Sequence, residues 1–537
     1  MSATSRWSFG INQVQSWTRR NGARVTLLSG SLIVILWTVL RHITNGVNFD
    51  IVGQIGLADQ WARGQSGGAQ VGSTNYLLKM PFYWIVNHLG ILSPHAKLLV
   101  LALLFNLLTW LLLFVLFVKI LELLDVQARS WLYLSLVWLA TISGRTYWLD
   151  YANSRNLETV GGILFLYLSI KFMKSRSRRD AGWLVLVGSV VFFADPLQFF
   201  VIATPVCLYA AGDWLVRRTR DSFRLAAYLI GLTGLSYAGS KLLFWLTSLL
   251  LPVSYLAVPR PTITFTGQTV WLSMRETGLS TLKNFDAYFF KLPLTPNSIR
   301  EFLNALVLAT IIVLFIKLLA NKSLRVSPRG LLLSIILVNY VVYAGSGQAL
   351  QWETSRYLVM VPLVSLLAVS IWGDVIAGNR KQILQLLWAG SIFISCLLLL
   401  GALIISWPKR YSNDAYIGTA LAYMQQHNYK YAVSSRDLGI PGTYFAGGRV
   451  IILPVICSGN HRLNSSNLFY DQAAFSGLSN YHSEIPVILQ ANDIISGDFH
   501  CKKVDVIAQF GSPKREEVVP GVGTAEIYDS GVIRLTD

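Results

Sequence analysis

Residues 98–118 read LLVLALLFNLLTWLLLFVLFV, a run of 21 residues without a charged side chain. Because an α-helix rises about 1.5 Å per residue, this run is long enough to cross the roughly 30 Å hydrocarbon core of a bilayer. Comparable apolar runs recur between residues 25 and 406. The chain of 537 residues is 53% hydrophobic and 13% charged, whereas soluble proteins carry roughly 25% charged residues. The sequence therefore predicts a mainly α fold, a polytopic bundle of membrane-spanning helices.

We predict about eleven transmembrane helices in this bundle. In chain order they cover residues 25–40, 98–118, 131–143, 157–172, a hairpin of two spans that turns at 195–196, and then 225–251, 302–319, 330–344, 357–372 and 383–406. The run at 77–92 is interrupted by Lys79, Pro81, Asn87 and His88, and we interpret it as an interfacial or re-entrant helix. Counting it as a span would place the basic loops outside, against the charge bias of membrane proteins.

Positive charge is concentrated in short segments beside the apolar runs. The net charge is +18, and basic clusters occur at 19–24, 171–179, 217–224, 317–329 and 380–381. This distribution is typical of cytoplasmic loops and argues against nucleic-acid binding. It predicts a multi-pass cell-membrane protein with a cytoplasmic segment at 1–24, a transmembrane domain at 25–406, and outer loops at 41–97, 144–156 and 252–300. The first span follows Arg24 and lacks a small-residue cleavage site, so we interpret it as an uncleaved signal anchor.

Residues 407–537 have a more mixed composition and predict a small extracytoplasmic α/β domain. Helical periodicity covers 414–427, with Ser412 and Asn413 as candidate N-caps. Short β-like runs follow at 431–434, 450–455, 504–509, 525–528 and 532–535.

Two cysteines fall in this polar region. Cys457 and Cys501 would face an oxidising exterior, where disulfides persist. We therefore predict a disulfide between them. A zinc site that includes His461 or His500 is the alternative.

Charged residues in the predicted outer loops are candidates for a functional site. Asp50 can deprotonate an acceptor hydroxyl, or it is a solvated acid or a helix N-cap. In the second outer loop Asp150, Arg155 and Glu158 either form surface ion pairs or bring an acid to the start of the fourth span. Arg356, near the start of the tenth span, either contacts phosphate oxygens or snorkels to the membrane surface.

The first outer loop also carries a family resemblance. Asp50 is followed by a predicted amphipathic helix that ends in WARG at 61–64, and then by KMPFYW at 79–84. This order resembles the bacterial protein O-mannosyltransferase and aminoarabinose transferase group of the GT-C glycosyltransferases, in which an Asp-led helix precedes Lys-Pro-Pro-x-x-Tyr-Trp. Met80 replaces the first proline of that pattern, and one residue instead of two follows Pro81 before the Tyr-Trp pair.

The resemblance implies a GT-C-like bundle and catalytic roles for matched residues. Asp50 matches the catalytic aspartate of the group, and Lys79 matches the lysine that meets the lipid phosphate. Glu158 has the position of a second acid in the cavity, at the start of the fourth span, and Asp150 is its competitor.

The resemblance also points to arginines that face the donor. Arg356 opens the pattern Arg-Tyr-x-x-x-x-Pro, and a similar pattern in the family places an arginine beside the lipid-linked phosphate. Arg155 is a further phosphate-binding candidate in the second outer loop.

The implied activity is transfer of a sugar from a polyprenyl-phosphate donor to an extracytoplasmic acceptor, with inversion at the anomeric carbon. The acceptor is an envelope glycan, a lipid or a protein, and the lipid bilayer is a further partner. No metal site is assigned, and a divalent cation is left open as a cofactor. We expect the loop at 252–300 to fold over the site as a partly helical lid. The alternatives are a transporter or flippase of lipid-linked envelope precursors, and a non-catalytic protein that binds the envelope.

Overall fold

The structure is a computed structural model of the chain. It describes residues 3–45, 47, 49–64, 68–71, 75–126, 130–142, 156–251, 253–255, 267–290, 293–320, 330–345, 350, 358–377, 380–466, 468, 470–490, 494–495 and 500–535. Side chains are described for the same residues except 3–20, 49–51, 75, 156, 267, 374–377 and 479.

Helices make up nearly all of the described part of the first 406 residues. They are, in chain order, α1 (Ala3–Thr44), α2 (Phe49–Ala62), α3 (Asn75–Asn87), α4 (Pro94–Leu123), α5 (Ser130–Ile142), α6 (Asn156–Ser175), α7 (Arg178–Ala194), α8 (Thr204–Arg217), α9 (Arg220–Leu250), α10 (Gly267–Asn284), α11 (Pro296–Ala320), α12 (Gly330–Gly345), α13 (Met360–Ala377) and α14 (Lys381–Ser406). A π-helix, Phe199–Ala203, leads into α8. Two short strands, β1 (Ala69–Val71) and β2 (Val253–Tyr255), pair in parallel.

Several of these helices indicate a membrane protein. Within the described residues, six helical segments are long and apolar enough to cross a membrane, namely Asn21–Thr44, Pro94–Leu123, Phe199–Arg217, Arg220–Leu250, Pro296–Ala320 and Lys381–Lys409. Three shorter apolar helices are Ser130–Ile142, Gly330–Gly345 and Met360–Gly373. Each predicted span coincides with one of α1, α4 to α9 or α11 to α14. The mainly helical fold is confirmed, while the count of eleven spans stays a prediction.

Small residues let helices α7 and α9 approach closely. Gly188 of α7 lies against Ser236 of α9, and Gly239 of α9 lies against Ser189 of α7. A Cβ atom at Gly239 would lie 2.2 Å from the Ser189 Oγ, so a larger side chain there would push the helices apart. Membrane helices commonly associate through such residues, because lipid chains leave no hydrophobic driving force between helices.

One end of the bundle gathers the end of α1, the start of α4 and the segment after α14. The rings of His42 in α1 and His95 in α4 have centroids 6.0 Å apart. Tyr411 stacks on His95 at 4.2 Å, and its N–H donates to the Ile43 carbonyl over 3.1 Å. Helices α2 and α3 therefore leave the bundle and return to it at the same end, as a segment that does not cross the membrane must. We call this the domain end, because the C-terminal region covers it.

The C-terminal region is a small mixed α/β unit, as predicted in outline. Its elements are α15 (Ala415–Gln426), β3 (Tyr431–Ser435), α16 (Arg436–Phe445), β4 (Ile451–Cys457), β5 (Leu463–Ser465), α17 (Ala473–Ser479), β6 (Glu484–Gln490), β7 (Ile494–Ile495), β8 (Cys501–Lys502), α18 (Lys503–Phe510), β9 (Arg515–Val519) and β10 (Gly523–Asp529). The main sheet has the order β5-β4-β3-β6-β10-β9. Strand β3 is parallel to β4 and β6, and β10 is antiparallel to β6 and β9.

Two of the strands predicted in this region are wrong. Residues 504–509 lie in α18, because the Asp505 carboxylate accepts the Lys502 N–H over 2.8 Å and so caps the first turn of a helix. Residues 532–535 contain no strand, since the chain there leaves a short 3₁₀ turn at Ser530–Val532. The sequence patterns also missed β6 and β9, which supply the middle and one edge of the sheet.

The cysteine prediction is confirmed. Cys457 and Cys501 form a disulfide that joins the end of β4 to β8, with their Cα atoms 5.4 Å apart. The described residues contain no group of three or more His, Cys, Asp or Glu side chains that could hold a metal ion. The zinc alternative therefore has no ligand set in the described part of the chain.

Helix α15 does not use its predicted N-caps. Instead, the Asn413 Nδ2 donates to the Thr44 carbonyl over 2.5 Å, and the Asp414 Oδ1 accepts the Val47 N–H over 2.5 Å. These bonds tie the start of the C-terminal region to the end of α1. Burial raises the pKa of the Asp414 carboxyl above its ordinary value, while the Val47 hydrogen bond acts in the opposite direction.

Helix α2 is a core helix and not the amphipathic helix that the sequence predicts. Residues 52–58 are all buried, and α2 packs between α3 and α16. The Trp61 Nε1 donates to the Asp471 Oδ2 over 2.8 Å, and the Asp471 N–H donates to the Gln60 Oε1 over 2.8 Å. The first predicted outer loop and the C-terminal region thus share one hydrophobic core. A helix that is apolar all round must be covered on all sides, and here two chain segments cover it.

We expect Asp471→Asn to destabilise this shared core. Both carboxylate oxygens of Asp471 accept hydrogen bonds, from the Trp61 ring and from the Ala473 N–H. An amide offers one acceptor, so one buried donor loses its partner, at a cost of about 1–3 kcal/mol. Thermal unfolding of the detergent-solubilised protein, followed by tryptophan fluorescence, measures this loss. The matched control is Asp529→Asn, whose surface ion pair with Lys514 contributes little; equal melting temperatures for both variants would contradict the expectation.

Candidate functional site

A lysine of the first predicted outer loop and a glutamate at the start of the fourth predicted span meet at the domain end. The Lys79 Nζ of α3 lies 3.7 Å from the Glu158 Oε2 of α6, and each side chain is only 1% exposed. Both residues are site candidates from the sequence, so the structure brings together one predicted phosphate ligand and one predicted acid. Helix α3 also packs against α4, which places the Lys79 ammonium 5.6 Å from the centre of the Phe105 ring.

Burial makes this pair a candidate for a functional role. Taking two charges out of water costs several kcal/mol per ion, so buried ion pairs seldom add net stability. Charged groups kept inside a membrane domain are therefore functional candidates by default. Glu158 lies in the first turn of α6, where the helix dipole favours a negative charge. The Phe105 ring face adds a cation–π attraction for the ammonium.

The inner face of α3 holds Lys79 in place. Tyr76, Lys79, Tyr83 and Val86 recur at helical spacing, and all four are buried. Tyr76 stacks on Tyr83 with 6.0 Å between ring centroids. The Tyr83 hydroxyl donates to the Gln54 Oε1 of α2 over 2.5 Å, which anchors α3 to the core helix.

Asp50 lies on the neighbouring helix α2, at a different position along the helix axes from Lys79. It is the second residue of α2, inside the first turn rather than before it, and its side chain is outside the described side chains. Helix α2 runs antiparallel to α3, because Trp61 contacts Tyr76 while Gln54 contacts Tyr83. Asp50 precedes Gln54 by four residues, and Lys79 precedes Tyr83 by four residues. Because the helices are antiparallel, Asp50 and Lys79 lie on opposite sides of the contact between Gln54 and Tyr83. The two residues are thus offset by eight positions, about 12 Å along the helix axes.

Three other site candidates lie outside the described residues, namely Asp150, Arg155 and Arg356. The helix that follows Arg356 in sequence, α13, has a described contact at its start. Helix α13 begins at Met360, and a Cβ atom at Gly162 of α6 would lie 2.4 Å from the Met360 Cε. Gly162 follows Glu158 by one helical turn. The start of α13 and the start of α6 are therefore neighbours at the domain end.

A glutamine that the sequence interpretation missed lies against the same glycine. A Cβ at Gly162 would also lie 2.4 Å from the Oε1 of Gln198, a side chain that is only 3% exposed. The Gln198 Nε2 donates to the Asp195 Oδ2 over 3.2 Å, and the Asp195 Oδ1 accepts the Leu197 N–H over 3.0 Å. The predicted turn at 195–196 is therefore present, and its aspartate also orients Gln198.

The π-helix that follows Gln198 was not visible in the sequence. Its Val201 carbonyl accepts a hydrogen bond of 2.7 Å from the Asn339 Nδ2 of α12. Such π segments occur often at functional sites, because they redirect side chains within a helix. The one sequence signal was an asparagine in the otherwise apolar run at 330–344.

A second buried charge cluster ties the loop at 252–300 to the bundle. The Arg300 Nη2 lies 3.0 Å from the Asp286 Oδ2 and 3.8 Å from the Glu301 Oε1, and all three residues are buried. The Asn304 Oδ1 accepts hydrogen bonds from the Trp138 Nε1 over 3.0 Å and from the Ser391 Oγ over 2.7 Å. Helices α5, α11 and α14 are joined there, which is a structural role.

The loop at 252–300 is partly helical, as expected, through α10. Helix α10 packs on the end of α12, where the Ser273 Oγ donates to the Ala344 carbonyl over 2.5 Å and the Ser280 Oγ pairs with the Tyr343 hydroxyl at 3.2 Å. Strand β2 pairs with β1 of the first predicted outer loop, so both loops meet at the domain end. The action of the loop at 252–300 as a lid stays a prediction.

We expect substitutions of Lys79 and Glu158 to have strongly coupled effects on the free energy of unfolding. Lys79→Met or Glu158→Gln alone removes one charge of this buried pair, at about 3–5 kcal/mol, whereas the double variant removes both charges and loses less than the sum. Unfolding titrations of the purified protein in mixed micelles with increasing SDS measure each variant. The exposed pair Lys119–Glu122, 2.8 Å apart, is the matched control and should show coupling below about 1 kcal/mol. Additive losses at positions 79 and 158 would contradict this coupling.

The chain matches no protein-family model and no curated protein sequence.

Proposed function

We propose that the protein is a membrane glycosyltransferase that moves a sugar from a polyprenyl-phosphate donor to an extracytoplasmic acceptor. The observation that carries this proposal is the buried contact between Lys79 and Glu158. An ammonium group in apolar surroundings is a strong binding point for one phosphate, because low dielectric strengthens its attraction. The neighbouring acid keeps the ammonium charged and in place while the site is empty.

The reaction assigns one task to each group. An acceptor hydroxyl oxygen attacks the anomeric carbon, the bond from that carbon to the phosphate oxygen breaks, and the polyprenyl phosphate leaves with the electron pair. Asp50 takes the hydroxyl proton as general base. Lys79 stabilises the negative charge that grows on the leaving phosphate, together with Arg356 and Arg155. Direct displacement inverts the configuration of the sugar.

The offset of Asp50 from Lys79 supports these separate tasks. The base must contact the acceptor on one side of the sugar ring, while the cation must contact the phosphate on the other. An offset of about 12 Å along the helices leaves room for a sugar and a phosphate between the two groups. The acceptor class that fits is any hydroxyl-bearing envelope glycan, lipid or protein.

We further propose eleven spans with a cytoplasmic N-terminus and an extracytoplasmic C-terminal region. Support comes from the domain end, where the ends of α1 and α14 lie together through the bond from Tyr411 to Ile43. An odd number of spans requires the first and the last span to finish on the same side. The basic clusters would then lie at the opposite, cytoplasmic side. A disulfide between Cys457 and Cys501 suits an oxidising exterior.

Transfer by the reconstituted protein tests this proposal. Proteoliposomes receive a panel of polyprenyl-phosphate sugars and an envelope extract as acceptor, and the release of polyprenyl phosphate is measured. Asp50→Asn should lower turnover at saturating donor by about 10²- to 10⁴-fold, the usual contribution of a general base. Lys79→Met should lower kcat/KM for the donor.

The control for this experiment is Asp529→Asn, an exposed acid far from the domain-end pair in sequence, which should keep full turnover. Unchanged turnover in Asp50→Asn, with a wild-type unfolding profile, would remove Asp50 as the base. Movement of intact donor across the bilayer without release of polyprenyl phosphate would favour the transporter alternative.

A further inference from the structure

Helix α3 carries an exposed apolar stripe beside its buried face. Leu78, Phe82, Ile85 and Leu89 are 39%, 36%, 54% and 41% exposed, and they follow one another at steps of four, three and four residues. These steps place the first three side chains on one face of α3 and the fourth just beyond its end. We call these four residues the α3 stripe. An exposed row of large apolar side chains marks a contact surface.

We propose that the α3 stripe is a lipid-binding face that lies among the acyl chains of the membrane leaflet at the domain end. The first support is continuity with α4, one of the helices long enough to span the membrane. The ring of Phe82 packs edge-to-face on Phe105 of α4 with centroids 5.5 Å apart. The stripe therefore continues onto a helix whose own exposed residues include Val100 and Leu104, at 36% and 39%.

The exposed face of α4 has the pattern of a lipid-facing surface. Val100, Leu104, Leu111 and Val115 are all exposed and recur at steps of four, seven and four residues. Such a row along a membrane span meets acyl chains, since the bundle interior is formed by the opposite side of the helix. The contact of Phe82 with Phe105 places the α3 stripe beside this surface, at the level of the first half of the predicted span at 98–118.

A tryptophan beside the stripe supports a position at the membrane surface. Trp84 is 50% exposed, and its ring lies 4.2 Å from the ring of His88. Tryptophan is enriched where the acyl chains meet the headgroups. Helices that lie in this plane bury an apolar face by a few ångströms and do not cross the bilayer. A length of 13 residues, about 20 Å, suits a helix lying in the membrane plane and is too short for a span.

The lipid contact of the α3 stripe also affects the position of Lys79. Lys79 is on the buried face but close to the stripe, since both Lys79 and Phe82 contact the ring of Phe105. The depth of the stripe in the leaflet therefore fixes the level of the Lys79 ammonium relative to the headgroups. The lipid contact holds whatever reaction the protein performs; only the use of Lys79 as a phosphate ligand rests on the proposed function.

Spin labelling measures the environment of the stripe directly. Cys207 and Cys396 are the free cysteines among the described residues and are replaced by serine. Single cysteines are then introduced as Ile85→Cys and Leu89→Cys and labelled with a nitroxide in the full-length protein in phosphatidylcholine–phosphatidylglycerol vesicles. Relaxation by oxygen, which concentrates in lipid, is compared with relaxation by a water-soluble nickel complex.

Two controls bracket the result. Leu111→Cys reports a mid-span lipid site on α4, and Val518→Cys, at a residue 77% exposed on β9, reports water. We expect labels at 85 and 89 to favour oxygen over nickel, as at 111. A preference for nickel at both positions, as at 518, would overturn the proposal. Protection from both reagents, with spin–spin broadening between copies, would also overturn it and identify a second protein copy as the occupant. Since no step depends on sugar transfer, failure here is distinct from failure of the proposed reaction.

Discussion

An ammonium group buried in a membrane domain needs an acid beside it, and this constraint connects α3 to α6. Lys79 and Glu158 come from segments nearly eighty residues apart, and both are almost completely buried. For the pair to form, α3 must turn its charged face inward and its apolar face outward. That orientation requires α2 behind it, fixed by the bond between Tyr83 and Gln54. Helix α3, the core helix α2 and the C-terminal region are therefore parts of one arrangement.

The C-terminal region completes this arrangement instead of forming a separate appendage. It closes over α2 through Asp471 and binds the end of α1 through Asp414 and Tyr411. The parallel pair of β1 and β2 adds the loop that precedes α10. Three chain segments that are distant in sequence thus meet at the domain end, where Lys79 and Glu158 also lie. The helices that carry these two charges are themselves packed and hydrogen-bonded, which is how a preorganised site is supported.

Much of the fold could be predicted from the sequence, for a simple physical reason. A bilayer requires long apolar helices, so the eleven predicted spans all coincide with helices. The errors in strand assignment lie in the C-terminal region, where packing decides between helix and strand. Val506 and Phe510 are buried one turn apart in α18, although the pattern of residues at 504–509 resembles a strand. Strand β6 contains Pro486, which weakens a strand prediction from sequence.

The candidate site was predictable only in part. Lys79 and Glu158 stood out because Lys79 interrupts the apolar run at 77–92 and Glu158 lies at the start of the fourth span, where a charge needs a reason. Gln198 and the π-helix did not stand out, since their significance depends on contacts with Gly162 and Asn339 on other helices. The cluster of Asp286, Arg300 and Glu301 was missed because an acid and a base at the start of a span resemble an ordinary membrane boundary.

We propose that Lys79 exchanges its carboxylate partner for the lipid phosphate when the donor binds. Binding of polyprenyl phosphate without a sugar, measured in nanodiscs for the wild type, Lys79→Met and Glu158→Gln, tests it most directly. The two substitutions should act in opposite directions. Lys79→Met should weaken binding by about 10- to 100-fold, the value of one charged hydrogen bond. Glu158→Gln should strengthen binding, because it removes the competing anion. Equal affinities for all three proteins, or weaker binding in Glu158→Gln, would contradict this account.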